Sequence, residues 1–584
     1  MESDGKAAQD EVGRTELSRC ERWLVGCLLA VTFLLRLLLV FLYRFDSDEP
    51  QHLHVVWGWV HGLVQYRDVF DNHMPFFHWL SIPIYLLLGE RPQLLFAMRL
   101  AMVPLYALML WAVYRLGRIL VSPRVGAWAA ALAGLFPLLF LCSVEYRSDD
   151  PWTTIWTWAL VVLVSGRWTL RRSFVAGLLL SLAMAISLKT ILLLIALAAA
   201  AGMTVALTGP PSGAALRKGI AYAGVTLLTS FVLPIAIGAG FALHGLWEPF
   251  WYGVVGHNLF SHRSIIRILL FPASLPVFWW CAERIRQRTA DTGVGVHRIF
   301  VFLAGGLYFA ALNTFWPLLS LESYLPFYPV FMILVAVWLL GRPTSTGDVV
   351  GSLDRLPGWR PLAFAGVEIV AILAAGMPWH NAAQEEIDLL SDVLKITKPG
   401  DLVIDLKGET VFRQRPFYYL LETISQLKLS EGLLKDEIPE SLIATRTCVA
   451  TPDDSEFPPR AQSFMRQNYI PAGHLKVAGK ILPPESGESN AMVAFTVEIP
   501  ADYMIVSREG IVHGELDGSP MDGARFLGAG RHTFRPSGSL SPEAALVWAP
   551  AIEHGLSPFG TDSGLSADEG KRPATIKHAL ASSK

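Results

Sequence analysis

Long apolar runs separated by short polar loops fill the first 380 residues of the chain. A bilayer core requires roughly 20 apolar residues, at about 1.5 Å per residue along a helix. Eleven runs meet or approach that length: 23–43, 94–114, 125–143, 152–166, 173–188, 190–207, 220–243, 266–282, 299–318, 324–341 and 361–379. The pattern therefore predicts about eleven transmembrane helices.

The apolar run 76–88 is too short to cross a membrane, since its thirteen residues cover about 20 Å as a helix. We expect a half-inserted or interfacial helix on the same side as the polar segment before it. With an inner N-terminus, the inner segments carry nineteen Lys and Arg residues and the outer segments carry seven, in agreement with the positive-inside rule. A full span at 76–88 would invert every later loop.

The chain beyond about residue 380 is expected to be soluble and to lie outside the membrane. Residues 401–422 fit an apolar strand, a turn and a helix, while AMVAFTVEIPADYMIV alternates as β-strands do. The predicted organisation is a cytoplasmic tail 1–22, a transmembrane domain 23–380, an α/β domain 381–485, a β-rich domain 486–558 and a disordered tail 559–584.

Composition supports an integral membrane protein, because 52% of the 584 residues are hydrophobic and only 17% are charged. A soluble chain usually carries about 25% charged residues. The net charge of −2 gives no indication of nucleic-acid binding, and the five cysteines are scattered without metal-binding spacing. The first apolar run contains Arg36 and is followed by no small-residue cleavage site, which favours a retained span over a signal peptide.

The stretch FDSDEPQHLH, residues 45–54, places a cluster of acids and histidines directly after the first predicted span. If it is helical, Asp48 and His52 share one face, and the apolar positions of 50–64 form an amphipathic interfacial helix. Acids at such a position are often only solvated. A carboxylate fixed there can also act as a general base or bind a divalent cation.

Further polar groups lie in the other predicted outer segments. SVEYRSDDPW contributes Arg147 and Asp149, although an acid before Pro151 also suits a helix start. VFDNHMPFFHW contributes His73, and a single histidine is more often structural. Lys189, near the outer end of a span, can snorkel to the interface or bind a lipid phosphate.

Two later outer segments add aromatic residues and one more cation. The loop 244–264 is rich in Trp, Tyr and His and ends with Arg263, and aromatic belting at the interface is the simpler interpretation. ESYLPFYPVF begins the tenth predicted span with two prolines, which would hold Tyr324 at the outer edge of the membrane.

In chain order, these features resemble the GT-C glycosyltransferases of the protein-mannosyltransferase and aminoarabinose-transferase type. The resemblance covers roughly residues 20–380 and rests on an acidic pair after the first span, an interfacial helix, a proline-containing dip, an R-x-D motif in the second outer loop, a lysine at the end of a later span and the stretch YLPFYP. It implies a polytopic helical GT-C-like fold with interfacial helices, and a polyprenyl-phosphate sugar donor used at the outer face of the membrane.

The resemblance also implies roles for individual residues. Asp48 matches the first-loop catalytic acid, Glu49 its neighbour, and Asp149 the second-loop acid. His73 stands where the aminoarabinose branch has a lysine, and Tyr324 matches a tyrosine of that branch, with Ser323 in place of its arginine. The expected donor-phosphate and substrate-binding residues are His52, His73, Arg147, Lys189, Arg263 and Tyr324.

The resulting hypothesis is an inverting sugar transfer to a hydroxyl of a glycan, glycolipid or protein, with Asp48 as general base. Glu49 and Asp149 are candidate ligands for a divalent metal cation. The expected location is the bacterial inner membrane, with the N-terminus in the cytoplasm and the C-terminal domain in the periplasm. The alternatives are a transporter or flippase for a lipid-linked envelope precursor, whose ionisable groups usually lie at mid-membrane, and a non-catalytic envelope scaffold.

Overall fold

A computed structural model of the chain describes residues 16–209, 212–259, 265–289, 293–341, 358–482, 492–538 and 544–559. The chain divides into two compact units. The helical unit comprises residues up to Ile387 together with 407–412 and 418–428, and the second unit comprises 388–406, 413–417 and the residues from 429 onwards. Both predicted tails lie largely outside the described residues.

The helical unit consists of helices of very different lengths. Their bounds are α1 (Arg19–Leu42), α2 (Asp48–Val60), α3 (Phe76–Leu88), α4 (Leu94–Leu120), α5 (Pro123–Leu135), α6 (Pro137–Val144), α7 (Asp149–Val164), α8 (Leu170–Ile186), α9 (Thr190–Thr208), α10 (Gly213–Ser230), α11 (Val232–Leu243), α12 (Trp247–Trp251), a π-helical turn (Tyr252–Gly256), α13 (Ile265–Thr289), α14 (Gly293–Phe315), a 3₁₀ segment (Leu321–Phe327), α15 (Tyr328–Leu340) and α16 (Trp359–Gly376).

All eleven apolar runs fall on helices, but fewer helices are long enough to cross a bilayer. Within the described ranges, eight spans satisfy length and composition, or nine if the bent pair α5–α6 is counted as one. The remaining two runs correspond to α7 and α8, which have 16 and 17 residues and measure about 24–26 Å. The predicted helical membrane fold is confirmed. Of the eleven predicted spans, α7 and α8 are the two that fall short of the length expected for a membrane-spanning helix.

Local sequence explains where several of these helices begin and bend. The Ser18 hydroxyl and the Glu21 carboxylate form a capping box at the start of α1. Pro137 cannot donate a backbone hydrogen bond, and α5 and α6 meet there at 60°. Helices α4 and α5 approach closely at Gly126, where a Cβ atom would lie 2.5 Å from the carbonyl oxygen of Tyr114.

The short helices α2 and α3 flank the loop that carries His73. Helix α3 has 13 residues and is too short to span, as predicted. The amphipathic pattern of α2 predicts one lipid-facing side, but every residue from Glu49 to Gly58 is buried. Protein covers these residues, for example where Gly58 packs against Val69, so this part of α2 has no lipid-facing side, and its location at the membrane interface stays a prediction.

The chain after α16 combines short helices with β-strands. The elements are α17 (Gln384–Ile396), β1 (Val403–Ile404), α18 (Thr423–Ser430), α19 (Ile438–Ala444), β2 (Val449–Ala450), α20 (Pro459–Asn468), β3 (Tyr469–Ala472), β4 (Leu475–Leu482), β5 (Val493–Val497), β6 (Ala501–Ser507), β7 (Gly510–Ile511), β8 (Gly514–Leu516), β9 (Ser519–Met521), β10 (Arg525–Leu527), β11 (Gly530–Pro536), β12 (Ala544–Trp548) and α21 (Ala549–Glu553).

Two sheets organise the strands that the structure describes. An eight-stranded sheet has the order β1-β2-β4-β12-β6-β10, with β3 paired to β4 and β7 paired to β6, and a four-stranded sheet has the order β5-β11-β8-β9. The larger sheet takes strands from both sides of the predicted domain boundary at 485/486, because β12 pairs with both β4 and β6. The C-terminal part is sheet-rich, as predicted.

Candidate active site

One buried arginine joins acids from three separate segments of the helical unit. Arg147 lies between α6 and α7, and its Nη1 donates to Asp46 Oδ1 over 2.6 Å. Its Nη2 lies 2.6 Å from Asp48 Oδ2 and 2.7 Å from Glu322 Oε1, and its Nε lies 3.7 Å from Asp149 Oδ2. The two predicted acidic loops, far apart in sequence, therefore meet at Arg147.

Asp48 occupies the first turn of α2, between two cations. Its Oδ2 contacts Arg147 and its Oδ1 accepts a hydrogen bond from Lys407 Nζ over 2.7 Å. Burial alone would raise the pKa of Asp48, but the charges of Arg147, Lys407 and His73 lower that pKa well below its usual value. Asp48 is therefore a carboxylate at neutral pH.

Glu49, the neighbour of Asp48, is sealed in the interior. Arg99 of α4 donates from Nε to Oε2 over 2.7 Å and from Nη2 to Oε1 over 2.6 Å, and neither side chain is exposed. The backbone N–H groups of Tyr146 and Asp46 complete the shell at 2.8 and 2.9 Å. Since each oxygen accepts two hydrogen bonds, Glu49 is placed to hold the loops together rather than to react.

Asp149 begins α7 and pairs with the predicted cation Lys189. Lys189 Nζ donates to Asp149 Oδ1 over 3.0 Å, and it lies 5.7 Å from the ring centroid of Trp152 and 5.9 Å from that of Trp316. The lysine side chain is 16% exposed. Lys189 is thus directed into the acidic cluster, which snorkelling alone does not explain.

His73 is held by a buried carboxylate beside this cluster. Its Nδ1 lies 2.9 Å from Asp71 Oδ1, and Asp71 also accepts hydrogen bonds from Gln51 over 3.1 Å and from Gln65 over 2.6 Å. Burial alone would lower the pKa of His73, but the charge of Asp71 and its hydrogen bond raise it. The arrangement favours the imidazolium form.

His52 has the opposite environment. It is buried, its Nδ1 lies 2.9 Å from His78 Nε2, and its ring centroid lies 4.7 Å from that of His73. Burial, and then the charges of His73 and His78, lower the pKa of His52 well below its usual value. His52 is therefore a neutral side chain in this network.

Two predicted site residues, Tyr324 and Arg263, have no described contact with Arg147 or its acids. The Tyr324 hydroxyl donates to Asn313 Oδ1 over 2.9 Å, and it is Glu322 of the same segment that contacts Arg147. Arg263 lies outside the described residues.

Sequence reasoning missed the groups whose partners are distant along the chain. Lys407 is 359 residues from Asp48, in the predicted turn between a strand and a helix. Arg99 is enclosed in a predicted span, where a charged residue is costly and marks a functional or structural site. The free-energy cost of placing a charged residue in a span was the signal that could have indicated Arg99.

The predicted metal ligands are engaged with cations. Among the described residues, no group of three or more His, Cys, Asp or Glu side chains is arranged to hold a metal ion. Glu49 is enclosed by Arg99 and Asp149 is bound to Lys189, so neither fits a divalent cation without exchanging its partner. Metal binding stays a prediction.

Comparisons with known proteins bear on this fold and site. The family model described as dolichyl-phosphate-mannose-protein mannosyltransferase matches residues 72–237. No curated protein sequence matches the chain. Among solved structures, ArnT from Cupriavidus metallidurans matches both bound to undecaprenyl phosphate, with a TM-score of 0.54, and in the apo state, with a TM-score of 0.52.

Both ArnT structures are 13% identical to the chain, and each match covers 78% of this chain and 97% of ArnT. An oligosaccharyltransferase from Archaeoglobus fulgidus in complex with zinc and sulfate matches at 11% identity, with a TM-score of 0.42, over 79% of this chain and 72% of its own. The ArnT matches establish the fold and the family match points to the same group of enzymes. The predicted resemblance to the GT-C glycosyltransferases is confirmed by the shared fold and by the family match over residues 72–237.

Proposed function

We propose that this protein transfers one sugar from a polyprenyl-phosphate donor to a hydroxyl acceptor at the outer face of the bacterial inner membrane. The observation that carries the proposal is the shared contact of Asp48 and Asp149 with Arg147, beside Lys189 and Lys407. One ArnT structure of the same fold is bound to undecaprenyl phosphate, which supports a lipid phosphate as the donor group.

The reaction requires a base and a cationic site for the leaving group. The acceptor oxygen attacks the anomeric carbon from the face opposite the phosphate and forms the new glycosidic bond, so the configuration inverts. The bond between that carbon and the phosphate oxygen breaks, and polyprenyl phosphate leaves with the electron pair. Asp48 takes the proton of the acceptor hydroxyl, a contribution of about 10²–10⁴-fold.

Cations paired with Asp48, Asp149 and Asp71 stabilise the departing phosphate. Lys189 and Arg147 supply fixed positive charges, and His73 supplies a third because Asp71 favours its protonated form. Charge-assisted hydrogen bonds of this kind are roughly twice as strong as neutral ones. Asp149 holds Lys189 in place and contacts the acceptor, while Glu49 positions the start of α2 through Arg99.

The acceptor is a hydroxyl of a glycan, a glycolipid or a protein, and no step is assigned to a metal. A divalent cation at Glu49 would have to replace Arg99, which donates two hydrogen bonds to that carboxylate. The side chains that the structure brings together supply positive charge without one.

The test is sugar transfer by Asp48→Asn in reconstituted membranes. We expect the turnover number to fall by about 10²–10⁴-fold while the protein stays folded, since Asn preserves the shape of Asp. Asp68→Asn is the matched control, because Asp68 pairs with the exposed Arg67 in the loop between α2 and α3. Transfer by Asp48→Asn at the rate of Asp68→Asn would exclude Asp48 as the base.

A further inference from the structure

Lys407 reaches the candidate site from the chain beyond the last span. It belongs to the segment 407–412, which is part of the helical unit. Its Nζ donates to Asp48 Oδ1 over 2.7 Å and to Ser47 Oγ over 2.9 Å. The side chain is 15% exposed, so Lys407 is not sealed in the interior as Arg99 is.

The backbone of this segment fixes where Lys407 lies. Gly408 has a φ of +99°, and a Cβ atom there would lie 3.0 Å from the Cβ atom of His54. The Nδ1 atom of His54 lies 2.7 Å from the carbonyl oxygen of Val411. The left-handed glycine permits the close approach to α2, and the contact at Val411 holds the segment there.

The contacts of Asp48 conflict with its role as a base. Two cations within 2.7 Å stabilise the carboxylate, and general-base catalysis is most efficient when the pKa of the base lies near the working pH. A ligand anion that attracts one of these cations would remove the conflict. The leaving group proposed above is such an anion.

We propose that Lys407 binds the donor phosphate, and that on donor binding its ammonium exchanges Asp48 for a phosphate oxygen. The proposal rests on the proposed function and adds to it a phosphate ligand from outside the resemblance. Lysine suits this exchange because its ammonium is a compact charge on a flexible stem.

The charges of the reaction favour this exchange further. The donor phosphodiester carries one negative charge, and the departing phosphate monoester carries up to two. Asp48 loses its negative charge at the same time, because it takes the acceptor proton. The better partner of Lys407 therefore changes from the carboxylate to the phosphate as the reaction proceeds, which is selective stabilisation of the transition state.

The experiment compares binding of undecaprenyl phosphate and of uncharged undecaprenol to the full-length protein in nanodiscs. Wild type is expected to bind the phosphate more tightly than the alcohol. For Lys407→Met we expect affinity for the phosphate to fall by about 10–100-fold, the range of one charged hydrogen bond, with affinity for the alcohol unchanged. Lys398→Met is the control, because Lys398 is an exposed lysine of the second unit.

A second variant tests the exchange without removing the lysine. Asp48→Asn removes the carboxylate that competes for Lys407, so it should bind undecaprenyl phosphate several-fold more tightly than wild type, although it transfers sugar slowly. If wild type, Lys407→Met and Asp48→Asn bind undecaprenyl phosphate equally well, Lys407 is not a ligand of the phosphate. The proposed donor class would be unaffected by that result. Equal affinity of wild type for the phosphate and the alcohol would overturn the proposed donor class as well.

Discussion

Two ion pairs that begin at adjacent residues have opposite environments. In the pair of Glu49 with Arg99 both side chains are fully buried, whereas in the pair of Asp48 with Lys407 the side chains are 19% and 15% exposed. A ligand cannot reach the first pair, so it can only hold structure. The second pair is partly open, so under the proposal above the same two-residue acidic motif supplies one structural and one reactive carboxylate.

The largest effect should come from breaking the sealed pair. Arg99→Met leaves the Glu49 carboxylate buried without its cation, and removing one partner of a buried pair costs about 3–5 kcal/mol of unfolding free energy. Lys407→Met should cost less, because Asp48 is partly exposed and keeps Arg147 as a second cation. Denaturant unfolding in mixed micelles measures both values.

The control for this prediction is Glu49→Gln combined with Arg99→Met, which removes both charges. It should recover part of the loss, because the uncompensated charge is the main cost. Equal destabilisation by Arg99→Met and Lys407→Met would contradict the distinction between the two pairs.

The sequence was sufficient to predict where the long helices form, because an apolar run is a local signal. Each run predicts a helix whatever its neighbours are, and the short run 76–88 was recognised by its length and by the charge balance of the predicted loops. Polar residues between apolar runs are also a local signal. Asp48, Arg147, Asp149 and Lys189 were therefore recognised as candidate site residues.

Pairing is not a local signal, which explains what the sequence did not reveal. Glu49 and Asp48 are indistinguishable as neighbours in a DE motif, and their different environments come from Arg99, which is 50 residues away, and from Lys407. The burial of α2 likewise depends on packing that its amphipathic pattern does not encode. A hydrophobic pattern indicates which face prefers apolar surroundings, but not whether protein or lipid supplies them.

A smaller effect is expected for the pair of intermediate exposure, Asp149 with Lys189, at 7% and 16%. A double-mutant cycle of Asp149→Asn and Lys189→Met should give a coupling free energy of about 1–2 kcal/mol in unfolding. The same cycle on the exposed pair of Arg67 and Asp68 should give no measurable coupling. Absence of coupling between Asp149 and Lys189 would show that side-chain exposure does not determine how much each ion pair contributes to the free energy of unfolding.

The smallest effect is a pH dependence carried by His73. Asp71, with Asp48 and Asp149, raises its pKa above the usual 6.5 although burial opposes this, and the ring of His52 lies 4.7 Å away. His73 is cationic below its folded-state pKa and neutral above it. If His73 binds the donor as proposed, we expect this binding to be present at pH 6.5 and to be lost as the pH rises through the higher folded-state pKa.

The expected loss of donor binding at alkaline pH is the alkaline limb of the pH profile. His73→Lys should abolish this limb, because an ordinary lysine has a pKa of about 10.4. The measurement is the KM for the lipid-linked donor from pH 6 to 9 in wild type and variant. Asp71→Asn removes the charge that raises the pKa of His73 and should move the limb to lower pH. His61→Ala, at a histidine that faces Glu90, should leave the profile unchanged. An alkaline limb that persists in His73→Lys would assign the titration to another group and leave His73 as a structural partner of Asp71.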